Sequence, residues 1–234
     1  LDAVRRCWAS LYGQRSIYYR AKRGYGQADT DIAVVVQRQI ESTRAGVMFT
    51  IDPASLAEDR LVIEGSFGLG ETVVGGRVAP DRYVVEKASR RILERQIHHK
   101  DVVIESSVSG GTVTRELSPE DAMRPTLRDE ETLAIADLGI RIQQHYGTPQ
   151  DTEWAIDPEG RIWMVQSRPV TTTGRAAVPT SAETAGANAG GVLARGLGAS
   201  PGIAQGPART VGSLADEAKL QQGDVLVAKM TTPD

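Results

Sequence analysis

Short apolar runs with turn residues between them dominate the first half of the chain. IAVVVQRQI (32–40), AGVMFTI (45–51), LVIEGS (61–66), DRYVVEK (81–87) and DVVIE (101–105) are rich in β-branched residues and predict five strands. Residues 1–23 follow a different period. Val4, Trp8 and Leu11 recur on one helical face and Gly13 breaks the run, so two helices are expected, with the aromatic residues on the packed side. A capping box of Thr126 with Asp129 predicts a helix to about Tyr146, with Ile135, Leu138, Ile142 and Tyr146 as its apolar stripe and Gly147 as its end.

Next comes DTEWAIDPEGRIWMVQSRPV (151–170), which reads as a hairpin. In DPEG, Pro158 presets φ, Asp157 can bond its own backbone and Gly160 tolerates positive φ. If the ladder closes at Ile156 with Arg161, Glu153 lies opposite Met164 and Asp151 opposite Gln166. Period-two alternation then gathers Asp151, Glu153, Met164, Gln166 and Arg168 on one face and leaves Trp154, Ile156, Trp163 and Val165 on the packed face. A slip of one residue would scatter that cluster. From Thr171 to Gly190 the chain is small, polar and free of aromatics, the composition of a flexible linker. Beyond it, LGASPGIAQGPARTV and GDVLVAKMTTPD predict two strands of a further β-containing unit. No internal repeat is visible.

Composition narrows the class of protein. Of the 234 residues 40% are hydrophobic and 24% charged, as in ordinary globular proteins, and the net charge of −3 offers no general attraction to nucleic acid or an acidic membrane. Cys7 is the one cysteine, which excludes an intrachain disulfide and suits a reducing, cytoplasmic setting. No apolar run reaches the length of a membrane-spanning helix. The chain opens on Leu and stops just past a strand-like run, so a piece of a longer protein is expected.

The polar face of the hairpin carries the chemistry. Two carboxylates and an amide oxygen are hard donors suited to Mg²⁺, and a guanidinium beside them suits a polyphosphate. A half-exposed strand pair with polar residues facing water, and a plain surface ion pair between Arg168 and Glu153, are the competing explanations. Other candidates are weaker. The glycine-rich stretch VIEGSFGLGETVVGG (62–76) can bring backbone N–H groups to phosphate, but it matches no phosphate-loop fingerprint and such turns are commonly only turns. VVVQRQIES (34–42) could read an adenine edge or simply be a strand exit. His98, His99 and His145 are not spaced as a zinc site. The basic and aromatic residues of 1–23 could bind RNA, but helical packing accounts for the aromatics more economically.

Several stretches in order, VVVQ, AGVMFT, FGLGE, PDRYVVEK, HYGTPQDTEWA and VQSRPVTT, resemble the ATP-grasp nucleotide-binding domain of the phosphoenolpyruvate synthase and pyruvate phosphate dikinase family. The resemblance implies an α+β fold, with residues 1–172 as the C-terminal portion of an ATP-grasp domain, 173–190 as linker and 191–234 as the start of a swivelling phosphohistidine domain. It implies transfer of phosphate from ATP to a mobile histidine outside this chain and then to pyruvate, with release of AMP and phosphate. Gln37, Arg38, Gln39 and Ile40 match the segment lining the adenine pocket. Glu153 and Gln166, accompanied by Asp151, match the Mg²⁺ positions, and Arg168 matches the catalytic position on the transferring phosphates. Thr152 stands where Ile is usual and Gly65 where Ala is common. The family's phosphohistidine motif is not in the sequence, so none of the three histidines is expected to be catalytic and the chain alone is expected to be inert. Rifampicin phosphotransferase shares the same domains and competes on the acceptor. A catalytically silent nucleotide-binding module is the alternative of another class. No nucleic-acid or membrane partner is implied, and an oligomer is left open.

Overall fold

A computed structural model describes residues 1–26, 30–170, 204–211 and 219–228. The predicted linker at 173–190 lies outside them. The chain divides into two compact units, Leu1–Gln39 and Ile40–Asp234.

In the first unit, helix α1 (Asp2–Ala9) runs into a 3-10 turn (Ser10–Tyr12), and Gly13 in extended conformation separates this from α2 (Gln14–Arg23). The two-helix expectation holds, but the expected packed stripe does not. No residue of α1 is buried, and Trp8, Tyr12, Tyr18 and Tyr19 are exposed, because two short helices offer no second layer within the unit. The strand expected over 32–40 is also absent. Residues 31–42 form no ladder, and Val35 and Val36 are 82% and 87% exposed. β-branched composition makes a strand only where a neighbouring strand presents its edge.

The second unit is built on a six-stranded antiparallel sheet. Its strands are β1 (Arg44–Phe49), β2 (Arg60–Phe67), β3 (Asp81–Glu86), β4 (Arg91–Gln96), β7 (Gln150–Ile156) and β8 (Ile162–Pro169), ordered β4-β3-β2-β1-β7-β8. A two-stranded ribbon, β5 (Val102–Ser106) and β6 (Thr112–Glu116), and a parallel pair, β9 (Ala208–Val211) and β10 (Val225–Ala228), stand outside it. β4 and β6 were not predicted. Their residues are largely exposed and charged, so neither shows the apolar signal that marks a strand in sequence. A short helix, α3 (Glu71–Val74), follows the glycine-rich turn after β2, and another, α4 (Pro119–Ala122), precedes the long helix α5 (Asp129–Tyr146).

One face of the sheet packs on α5. Met48, Leu61, Ile63, Tyr83, Val85, Trp154 and Ile156 meet Leu127, Ile135 and Ala136 in a single buried cluster. Trp154 sets its geometry. Its indole spans Gly46 and Gly65, which pair across β1 and β2, and its Nε1 donates to the Val47 carbonyl at 3.1 Å. A Cβ on Gly65 would stand 2.7 Å from Cζ2 of Trp154, which explains glycine at that position. Thr152 is fully buried, and its hydroxyl donates to the Met48 carbonyl at 3.1 Å.

The start of α5 departs from the sequence expectation. Arg128 is the N-cap and Glu131 the reciprocal partner, accepting from the Arg128 backbone at 2.9 Å and from Arg44 at 2.6 Å. Thr126 is drawn elsewhere. Its backbone N–H and hydroxyl both donate to Asp81 Oδ2, at 2.7 and 2.8 Å, while Lys100 Nζ donates to Oδ1 at 2.7 Å. Asp81 and Lys100 are both fully buried, and a buried charge demands such partners more than a helix end does. The buried stripe of α5 is rotated accordingly. Glu131, Thr132, Ile135, Ala136 and Gly139 face the sheet, Leu138 and Ile142 are half-buried, and Tyr146 is exposed. Gly147 ends the helix at φ +70°, as expected.

Two stability outcomes follow from this packing. A Cβ at Gly46 would lie 1.9 Å from the Glu64 carbonyl and 2.8 Å from Trp154. Gly46→Ala should therefore cost at least about 2 kcal/mol in urea unfolding, at the upper end of overpacking penalties. A cost under about 0.5 kcal/mol would mean that the slot is not rigid. At Glu131 burial alone would raise the pKa, but hydrogen bonds from Arg128 and Arg44 outweigh it and hold the group at about 2. Its contribution to stability is complete above the ordinary value of 4.5 and is lost as pH falls towards about 2. Glu131→Gln should lower stability at neutral pH and flatten the acid limb of the pH–stability curve across that window.

Candidate functional site

The opposite face of the sheet carries the polar residues of the hairpin, while Ala45, Val62, Ser66 and Val84 are buried on that side of β1, β2 and β3. The turn after β7 is closed by Asp157 N–H donating to the Arg161 carbonyl at 3.1 Å, and Ile156 pairs with Ile162, one residue later than the turn sequence suggests. Left uncorrected, that slip would turn Gln166 and Arg168 towards α5. A bulge at the Glu153–Trp154 step corrects it. Trp154 pairs with Met164 and Glu153 with Gln166, so Val165 is the extra residue of β8 at the bulge. Beyond the bulge Asp151 pairs with Arg168.

The predicted cluster therefore forms, with different opposite partners and one exchange. Asp151, Glu153, Gln166 and Arg168 share a face, but Met164 belongs to the helix side and packs on the core. Trp163, expected in the core, is opposite Ala155 on the polar side and is 41% exposed. Its Nε1 donates to Asp157 Oδ2 at 2.9 Å, and the Arg161 guanidinium lies 5.7 Å from its ring centre. Asp157 also accepts from Arg161 Nε at 2.7 Å. Burial would raise the Asp157 pKa, but these donors bring it down to about 2.

Arg168 donates through Nε to Asp151 Oδ2 at 2.9 Å, and its Nη2 lies 2.8 Å from the same oxygen. The guanidinium is 68% exposed and Asp151 15%, so the carboxylate fixes one edge of the guanidinium while the rest remains open to solvent. Glu153 is half-buried. Burial lifts its pKa first, the neighbouring Asp151 charge adds to the rise, and Arg168 opposes both. The carboxylate thus sits where a cation would be favoured. Glu153 and the Gln166 amide, opposite one another with Cα atoms on the order of 5 Å apart, offer a charged and a neutral oxygen, a donor set that fits Mg²⁺. Among the described residues no three His, Cys, Asp or Glu side chains converge as a metal cage.

The row holding Glu153 and Gln166 continues across the sheet. Val47 on β1 pairs with Glu153 on one side and with Glu64 on the other, and Glu64 pairs with Arg82. Nothing in the sequence tied Glu64 to a hairpin some ninety residues away.

The other candidates are placed as follows. Ile40 is half-buried, while Gln37, Arg38 and Gln39 are exposed and belong to the first unit. In the glycine-rich turn the Gly68 N–H donates to Thr43 O and the Leu69 N–H to Ile104 O, both at 2.8 Å. Those two donors anchor the turn to the fold. Gly68, at φ +78°, approaches Ile104 so closely that a Cβ would stand 2.2 Å from its carbonyl oxygen. His98 contacts the Pro80 carbonyl at 2.7 Å, His99 pairs with Asp101 at 2.9 Å, and His145 lies edge-on to Tyr146.

An antiparallel sheet backed by one long helix defines a mixed α/β class of domain. Residues 1–188 match the family model of the pyruvate phosphate dikinase AMP/ATP-binding domain, and the chain belongs to that family. It is 47% identical over 234 residues to a probable phosphoenolpyruvate synthase of Methanothermobacter thermautotrophicus, covering 100% of this chain and 33% of the relative. Identity is 44% over 234 residues to a probable phosphoenolpyruvate synthase of Archaeoglobus fulgidus, covering 100% of the chain and 31% of that relative. It is 42% over 241 residues to the phosphoenolpyruvate synthase of Pyrococcus furiosus, covering 100% and 29%. The chain thus spans about a third of the length of these relatives. No helix among the described residues is long and apolar enough to cross a membrane.

The Asp151–Arg168 pair is solvent-facing on its arginine side, so its value to stability is small. Asp151→Asn should change unfolding free energy by less than about 1 kcal/mol. Asp157→Ala, which frees both Arg161 and the Trp163 indole, should cost more. The reverse order in urea titrations would mean that the hairpin is held from its open face and not from its turn.

Proposed function

We propose that this chain is the C-terminal portion of an ATP-grasp domain and that the open face of its sheet holds Mg-ATP. The observation that carries this reading is the bulge-corrected register. It puts a carboxylate opposite an amide at Glu153 and Gln166, and a carboxylate opposite a guanidinium one row further, at Asp151 and Arg168. Glu153 and Gln166 would hold Mg²⁺, with Asp151 beside them orienting Arg168. The metal, when bound, supplies positive charge to the phosphate oxygens. Arg168, fixed along one edge, presents its remaining N–H groups to the group being transferred, where charge stabilisation counts most. Gln37, Arg38, Gln39 and Ile40 would line the adenine.

In the whole protein the phosphate passes from ATP to a histidine outside this chain and on to pyruvate, with AMP and phosphate released. The relatives' name, phosphoenolpyruvate synthase, supports pyruvate as the acceptor over rifampicin. A silent nucleotide-binding module would retain the fold without needing an arginine aligned by a carboxylate at this place.

In the full-length protein Glu153→Ala should weaken Mg-ATP binding about tenfold or more, the loss of one charged ligand, while leaving the fold intact. Arg168→Lys keeps the charge but not the planar fork. It should slow histidine phosphorylation by about a hundredfold while changing ATP binding far less. Wild-type rates of histidine phosphorylation in both variants would reduce the cluster to a solvated strand face.

A further inference from the structure

Across the sheet from the hairpin, Glu64 has no counterpart in the roles assigned so far. Its β2 strand is flanked by β1 and β3, and pairing puts Glu64, Val47 and Glu153 in one row on one face. Two strand spacings of about 4.8 Å separate the Cα atoms of Glu64 and Glu153 by about 9.6 Å. Between them Val47, with Phe49 one row on, forms a half-buried apolar floor. The floor thus has two banks, one carrying Asp151, Glu153, Gln166 and Arg168 and the other carrying Glu64.

The Glu64 carboxylate is half-buried, yet it accepts no hydrogen bond from any described residue. The charges acting on it are Arg82 and His98, and burial outweighs both in raising its pKa. Arg82 cannot be spent on it alone, since its guanidinium donates to Glu94 at 3.0 Å and lies 3.8 Å from Asp52. Its oxygens keep contact with solvent, so a ligand that displaces that water must bring a donor. Phosphate cannot provide it, because two anions facing each other without a cation repel. A ribose provides what is missing. Its two neighbouring hydroxyls are donors, a carboxylate is a pair of acceptors, and this pairing is a general means of recognising ribose. A nucleotide whose phosphates occupy the hairpin bank has its ribose a few ångströms away, within the span of the floor.

Resting on the ATP-site reading above, we propose that Glu64 is a further binding residue of this face, accepting hydrogen bonds from the ribose hydroxyls of the bound nucleotide and favouring ribonucleotides over their deoxy forms. The test compares dissociation constants of ATP and 2′,3′-dideoxy-ATP for the full-length protein, the Glu64→Ala variant and the Glu153→Ala variant, all with Mg²⁺. Wild type should bind ATP about tenfold more tightly than the dideoxy form, the value of hydrogen bonds to a charged acceptor. Glu64→Ala should bring that ratio close to one by weakening ATP alone, with dideoxy-ATP affinity unchanged as the sign of an intact fold. If Glu64→Ala binds neither nucleotide, Glu64→Gln decides by the same ratio, which should fall below the wild-type value. An unchanged ratio overturns the assignment of Glu64 while the nucleotide site stands, provided Glu153→Ala still weakens both nucleotides. Absence of binding by the wild-type protein overturns both.

Discussion

Between Glu153 and Trp154 the β7–β8 ladder slips by one residue, and the polar face of the domain depends on that slip. The turn at Asp157–Gly160 delivers β8 one position out of step with the arrangement that would face Gln166 and Arg168 towards Glu153. The extra residue at Val165 restores the step. Below the bulge Met164 and Ile162 fill the core against α5. Above it Gln166 and Arg168 leave the core for the open face. A regular strand alternates sides strictly, so it could not serve both demands with this turn.

The bulge can be held in place because the strands around it are fixed from the helix side. Trp154 reaches across Gly46 and Gly65, and two side chains reduced to hydrogen let an indole lie flat where alanines would collide. The Trp154 N–H and the Thr152 hydroxyl bond to β1 carbonyls, which locks β7 against β1 through side chains as well as through the ladder. At the far end of the core Asp81 draws Lys100 and Thr126 into a buried knot, and Arg128 caps α5 in place of the already committed Thr126. The open face can carry charge and half-buried carboxylates because the other face supplies the stability.

Electrostatics on the open face are graded by row. Asp151 is neutralised by Arg168. Glu153, one pleat further in, is left with a raised pKa by burial and by the Asp151 charge. Glu64 repeats the condition of Glu153 across the Val47 floor. Half-buried carboxylates that meet only solvent are useful in a sheet that receives a cation or hydroxyl groups.

Much of this was legible in the sequence. Apolar runs located β1, β2, β3 and β5, and the αL glycine at 147 ended α5, because burial and backbone sterics act locally and leave a periodic trace. The hairpin sequence also marked Asp151, Glu153, Gln166 and Arg168 as sharing a face. The exposed strands β4 and β6 left no such trace, and the apolar residues 32–40 gave a false one, since a ladder needs a partner that composition does not specify. Thr126 read as a cap until a buried Asp81, far away in sequence, competed for it. Only the tertiary structure could choose between Met164 and Trp163 for the core, because a one-residue bulge reverses the sides of a strand. For the same reason Glu64 met the hairpin only through β1. Local sequence determined which residues could form the face; the pairing of distant strands decided which of them share a row.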